Sequence, residues 1–259
     1  MRAIWSGLLS FGLVNIPIRL YPATVERKLK FNYLHKKDLA PIRYARICRE
    51  DGEEVPYEEV VKGYEYQKGD YIILTDEDFR KANLRKTGAV EIIEFVHENE
   101  VDSVFFEKPY YVEPDRGADK AYVLLREALR RSKKVGVAKF VLKNREHLGI
   151  VKLEGDIIVL NQIRFKTEIK EAEGLSIPPA KLEGHKEVEL ALALIDQLTE
   201  PFKPEKYHDT YTEELEEVIV KRIHGKIPPP REEEPVPTPD HDLMTILRES
   251  LKRARQKAS

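Results

Sequence analysis

The chain has 259 residues, 41% of them hydrophobic and 35% charged, with a formal net charge of −2. That size suits one large domain or a domain with appendages, and the net charge gives no overall sign of a nucleic-acid partner. Cys48 is the only cysteine, which excludes an intrachain disulfide and fits a reducing cytoplasm, and no apolar stretch approaches the length of a membrane span.

Ala3 to Tyr21 reads as two short apolar segments broken at Ser10-Phe11-Gly12. Arg2 before an apolar run resembles a signal peptide, but Trp5, Ser6 and Gly7 interrupt it and no small-residue cleavage site follows, so export is not expected. In the second segment Val14, Ile16, Ile18 and Leu20 recur at every other position, with Asn15 and Arg19 on the wet face of a half-buried strand. Gly12 supplies the angles of a reversal. Pro17 cannot donate to a ladder, so the strand is expected at an edge or paired on one side there. On these grounds the stretch opens an antiparallel barrel or sheet.

Charge is unevenly spread. Residues 1–49 carry ten basic side chains against two acidic ones, and residues 50–79 carry eleven acidic against two basic. A local basic surface binds phosphates whatever the total charge. Arg27 to Lys37 mixes cations with Phe31, Tyr33 and Leu34, and Ile42 to Cys48 is a basic strand candidate. Asp51-Gly52 marks a turn, the acidic run Glu53 to Gln67 follows, and Tyr71 to Leu74 is a strand. Thr75 caps a short helix with Asp76, Glu77 and Asp78 in its first turn.

Ala89 to Val96 and Val104 to Val112 are the next strands. Ala118 to Lys134 is the long helix of the core, with Ala121, Leu124, Leu125, Ala128 and Leu129 as its buried stripe. A meander of three strands follows, Val135 to Leu142, His147 to Leu153 and Ile157 to Phe165, with turns at Asn144-Arg145 and Gly155-Asp156; that suits a barrel. Glu187 to Leu198 and Thr212 to His224 are amphipathic helices, the second with Thr212 as its expected N-cap and Gly225 as its stop. Ile227 to Pro239, with six prolines, is a linker, and Asp240 to Lys257 is a final helix that becomes basic towards its end.

Catalytic signatures are missing: no phosphate-binding glycine loop, no dinucleotide fingerprint, and seven histidines that stand singly. Cys48 reads as a packed or inert thiol, and His208-Asp209 as a helix-capping arrangement. No base-reading helix stands out, so any DNA binding is expected to be duplex binding through phosphates, without sequence preference.

A series of motifs carries a resemblance. Trp5-Ser6-Gly7, Ser10-Phe11-Gly12-Leu13-Val14, Ile16-Pro17 and Leu20-Tyr21 are followed by Val61-Lys62-Gly63-Tyr64-Glu65 and Tyr110-Tyr111-Val112 with Pro114-Asp115. Lys120-Ala121-Tyr122 with Leu124-Leu125, and Arg145-Glu146-His147, complete it. In this order and spacing, up to about Gly225, the chain resembles the Ku family, ring-shaped proteins that thread onto broken DNA ends. The resemblance implies a mainly β fold with helices: a β-barrel, a strand-rich bridge that encircles DNA, and C-terminal helices. The expected organisation is a core over 1–186 with its bridge at roughly 27–86, a helical region over 187–225, a proline-rich linker over 226–239 and a short C-terminal helix over 240–259. The chain begins directly with the barrel stretch, which resembles the minimal homodimeric prokaryotic form. The two helices of 187–225 are expected either against a partner subunit or closing their own barrel. Many bacterial relatives end in a long lysine-rich tail; here only the last turn or two is basic, so the final helix reads as a docking helix or a weak DNA contact.

The implied function is sequence-independent binding of double-stranded DNA ends by a homodimeric ring, protecting ends and recruiting a ligase D-like ATP-dependent ligase-polymerase in non-homologous end joining. No active site, cofactor or metal is implied, and the expected location is the cytoplasm, at the nucleoid. The DNA-facing candidates are Lys28, Lys30, Lys36, Lys37, Arg43, Arg46, Arg80, Lys81, Arg85 and Lys86 of the bridge, with Lys139, Lys143 and Arg145 of the barrel. The alternatives are a DNA-processing nuclease on a barrel scaffold and a protein-interaction scaffold that binds no nucleic acid.

Overall fold

Gly12, at φ 58°, reverses the chain between β1 (Trp5–Phe11) and β2 (Val14–Pro22), and glycine at the first central position is what a tight hairpin of this kind requires. Leu13 at its tip is fully exposed, while Ile16, Ile18 and Leu20 are buried, so the alternation in sequence is the alternation of faces. The computed structural model describes residues 1–82, 88–143, 145–178, 185–225 and 243–257. They divide into two compact units, Met1–Ala172 and Glu173–Ser259.

The first unit is a closed seven-stranded barrel with a long insertion. After β2 come the hairpin β3 (Lys62–Gln67) and β4 (Asp70–Leu74) and helix α1 (Asp76–Ala82). Then follow β5 (Ala89–His97), β6 (Phe106–Pro114), α2 (Asp119–Ser132), β7 (Lys134–Leu142), β8 (Arg145–Glu154) and β9 (Ile157–Ile163). The barrel order is β1-β2-β6-β9-β8-β7-β5, with β1 and β5 meeting in parallel to close it. β2 is therefore not an edge strand. Pro17 is nonetheless paired as its chemistry demands: the β6 ladder begins one residue later, at Ile18, and the Pro17 carbonyl accepts from Asp115 N–H at 2.9 Å.

Inward-facing residues from the seven strands, among them Leu9, Ile18, Leu20, Val90, Phe140, Val151 and Leu160, form one cluster with Tyr122, Leu125 and Leu129 of α2. Each such side chain contributes on the order of 1.5–3 kcal/mol when fully buried. A smaller cluster of Val135, Ile150 and Ile163 lies on the other face of β7, β8 and β9, packed against Val101, Phe105 and Phe106. That packing explains why β6 starts at Phe106 and not at Val104. Asp102 accepts from Val104 N–H at 3.2 Å and bends Ser103–Phe105 into a single 3₁₀ turn.

One hydroxyl of α2 bridges two barrel strands. Tyr122 Oη donates to Val112 O and accepts from Ile158 N, both at 3.0 Å, between β6 and β9. The ring is 7% exposed, and burial pushes the phenol above its ordinary range. Tyr122→Phe strands a buried N–H and weakens a carbonyl's satisfaction, so it is expected to cost about 1–3 kcal/mol in urea unfolding at unchanged m-value.

The second unit holds α3 (His185–Leu198), α4 (Thr210–Ile223) and α5 (Leu243–Lys257). α3 and α5 pack against each other, and no residue of α4 is buried. α4 starts two residues before Thr212, because Asp209 is the cap: its carboxylate accepts from Thr212 N–H at 3.1 Å and from the Thr212 hydroxyl at 2.6 Å. These bonds hold the Asp209 carboxyl below the usual carboxylate range. The expected linker over 226–239 lies outside the described residues, as does the start of the final helix before Leu243. Among the described residues no helix is long and apolar enough to cross a membrane.

Candidate nucleic-acid interface

The insertion between β2 and β5 holds most of the sequence-predicted cations, and it has no core. No described side chain from Tyr21 to Lys81 is buried. Tyr44 is 82% exposed, and Tyr64, Tyr71, Ile72 and Ile73 stand out on a two-stranded sheet that no other strand joins. Such a hairpin is marginal alone, and exposed apolar surface of this extent marks an interaction face. The strand expected over Ile42 to Cys48 does not form. Single bridges, Leu34 to Pro41 and Ile47 to Glu54, take its place, since no adjacent strand offers a ladder.

The first bridge closes a tight cationic turn. His35 N–H donates to Ala40 O and Leu39 N–H to His35 O, both at 2.8 Å, and the Asp38 carboxylate accepts from Ala40 N–H at 3.1 Å. Lys36 and Lys37 project from this turn into solvent. Next to it Tyr33 and Tyr44 meet edge to face at 6.3 Å. Arg43 is held by Glu54 at 3.1 Å, and Arg46 lies over the Tyr57 ring, 4.9 Å from its centroid. Lys28 pairs with Glu26, and Lys81 pairs with Glu77 at 3.1 Å along α1. The Arg80 side chain, Arg85 and Lys86 lie outside the described residues.

The barrel contributes a second cationic group at the β7–β8 turn. Burial alternates along β7 so that Ala138, Phe140 and Leu142 face the core while Lys139 faces out. Lys143 sits at the turn with φ 51°, a left-handed conformation that costs a non-glycine residue on the order of 1 kcal/mol, and it is exposed. Arg145 opens β8 directly opposite Leu142, so strand alternation gives it the opposite side from Lys139. Lys139 pairs with Glu146 at 3.4 Å and Arg145 with Glu168 at 2.6 Å. Lys30, Lys36, Lys37 and Lys143 make no ion pair with the described residues.

The sequence of the chain matches the family description "Ku70/Ku80 beta-barrel domain" over residues 10–192. The chain belongs to the Ku family. It is 43% identical over 258 residues to the "Non-homologous end joining protein Ku" of Opitutus terrae, an alignment that covers 97% of this chain and 91% of that one. It is 39% identical to the protein of the same name from Bacillus subtilis, over 99% of this chain and 83% of the other. For the Coxiella burnetii protein the figures are 37% identity, 96% and 94%.

Within this Ku barrel the acidic partners were not legible as such. Arg43 and Glu54 are brought together by an irregular loop of the insertion, and Arg145 and Glu168 by the start of β8 and the 3₁₀ turn that follows β9, so neither spacing signals a pair. Elsewhere on the barrel a hollow of about 480 Å³ is lined by Glu98, Tyr111, Lys152, Glu154 and Asn161 among others. Partial burial works against the Lys152 charge, but Glu98 at 2.8 Å and Glu154 at 3.5 Å outweigh it and hold the ammonium above the usual lysine range. Among the described residues no group of three or more His, Cys, Asp or Glu side chains is placed to hold a metal ion.

Proposed function

We propose that this chain binds double-stranded DNA ends, without sequence preference, as a ring made by two copies, and that it acts in non-homologous end joining. The observation that carries the reading is the arm between β2 and β5: rich in cations, without a buried side chain among its described residues, and rooted at both ends in a closed barrel. An arm with no core gains its order from what it touches. A second copy covers its apolar residues, and duplex DNA meets the cations of the arm and of the β7–β8 turn. The expected bridge, 27–86, falls within this arm, and the family membership supports both assignments. Phosphate contacts supply the binding energy, each releasing counterions, and carry no sequence preference.

On this reading the protein has no active site. It protects ends and recruits a ligase D-like ATP-dependent ligase-polymerase, and it works in the cytoplasm at the nucleoid. The mechanism is topological: a closed ring admits duplex only from an end. The test compares three substrates of one sequence: linear duplex, the same duplex with bulky hairpins at both ends, and closed circles. Tight binding to the open duplex alone is expected. Equal affinity for open and blocked ends overturns the ring.

A further inference from the structure

We propose that Glu146 and Glu168 are affinity-setting residues, fixed counter-ions that hold Lys139 and Arg145 and compete with DNA phosphates for them. The proposal rests on the reading that the β7–β8 turn faces DNA. It goes beyond that reading because it assigns the DNA-binding role of this surface partly to carboxylates, which a phosphate-binding surface would be expected to exclude.

Three observations carry it. The two pairs flank one turn, Lys139 and Glu146 on the outward face and Arg145 on the other, and Lys143, which makes no ion pair with the described residues, sits at the turn itself. Both carboxylates are fixed by the fold rather than carried on loose chain. Glu146 lies in β8, directly opposite Val141 of β7, on the outward face with Lys139. Glu168 ends a 3₁₀ turn, where its carboxylate accepts from Phe165 N–H at 2.9 Å while meeting the Arg145 guanidinium at 2.6 Å. The Phe165 N–H, with the Arg145 guanidinium adding to it, holds the Glu168 carboxyl below the usual carboxylate range. The pairs also have little structural purpose. All four side chains are at least 37% exposed, and exposed pairs add little to stability.

A paired cation has already shed part of its field. When a phosphate arrives it must displace the carboxylate, and the counterions that DNA releases are offset by the carboxylate left uncompensated. Each such contact is therefore weaker and less salt-dependent than one made by Lys36, Lys37 or Lys143. When the phosphate moves on, the carboxylate takes the cation back. A ring lined in this way holds DNA by many shallow contacts, which lowers the barrier to moving along the duplex.

The experiment measures affinity for an open-ended duplex at several salt concentrations, using the full chain. Glu146→Gln with Glu168→Gln keeps the acceptor for Phe165 N–H and removes both charges. It is expected to tighten binding about five- to twentyfold at about 0.1 M salt, with a steeper salt slope and an unchanged melting temperature. Adding Lys139→Ala and Arg145→Ala to that variant is expected to erase the gain. Two outcomes overturn the proposal, and they differ. If the double glutamine variant binds as the wild type does, while Lys36→Glu, Lys37→Glu and Lys143→Glu together weaken binding, the counter-ion role is wrong and the interface stands. If neither variant changes binding, the interface itself is wrong.

Discussion

Replacing Lys36, Lys37 and Lys143 by glutamate in one chain is expected to lower affinity for duplex ends at least a hundredfold at about 0.1 M salt, equally for all sequences. These three are singled out because they make no ion pair with the described residues, so their full charge is available to phosphate. Each phosphate contact contributes about 0.9 to the slope of log K against log salt. Losing three contacts per chain therefore lowers that slope by roughly 2.7 for a chain acting alone and by roughly 5.4 for a ring of two. The slope separates a reader of bases from a holder of backbone, and its size reports how many copies engage one duplex. Folding is not at stake, since all three side chains are exposed and none packs on the core. A sequence-selective loss, or an unchanged slope, would sink the phosphate-contact reading.

The barrel was legible in the sequence because its rule is local. One buried face per strand writes itself as alternation, as in Ile16, Ile18 and Leu20, or Ala138, Phe140 and Leu142. What escaped was whatever depends on a neighbour distant in sequence. Pro17 left two placements for β2, an edge or pairing on one side at that residue, and nothing local chooses between them; the β6 ladder from Ile18 onward makes it the second. Ile42 to Cys48 has strand-like residues, yet no strand comes alongside to pair with it, and isolated bridges result. The cap of α4 is local by contrast: His208-Asp209 reads as a capping arrangement in the sequence, and Asp209 is the cap, its carboxylate reaching both the N–H and the hydroxyl of Thr212 three residues on.

The candidate interface divides along the same line. That cations gather before β3 and at the β7–β8 turn is visible by counting. That Lys139 and Arg145 each answer to a carboxylate, while Lys143 between them meets none among the described residues, is a property of barrel register and turn geometry. Composition treats these cations as equals, whereas the fold sorts them into free and tethered ones. The motif Arg145-Glu146-His147 contains both a cation and a carboxylate of this set, with His147 packed on Phe140 behind them at 5.5 Å between ring centres.

Gly7→Ala is expected to cost the barrel about 3 kcal/mol or more, a fall in melting temperature of roughly 6–12 °C. The barrel closes where β1 meets β5, and this seam begins with Leu8 N–H donating to Gly88 O at 3.0 Å. A Cβ on Gly7 would collide with that same carbonyl oxygen and with the Trp5 ring. The oxygen belongs to the backbone and is committed to the seam, so it cannot swing away as the end of a side chain can. Gly136→Ala is the control. Its Cβ would lie 3.0 Å from Ile92 Cγ2 and 3.3 Å from Phe95 Cε1, side-chain contacts that a shift of a few tenths of an ångström relieves, and less than about 1.5 kcal/mol is expected. The two substitutions add the same methyl group to the same barrel, so the difference between them isolates the seam. Gly88 also directly precedes β5, where the cationic arm returns to the barrel. Opening the seam frees one root of that arm. Gly7→Ala is thus expected to weaken duplex-end binding even at temperatures where the protein stays folded, and Gly136→Ala is not. Equal melting of the two variants would show that the barrel does not depend on the close approach of β1 to Gly88.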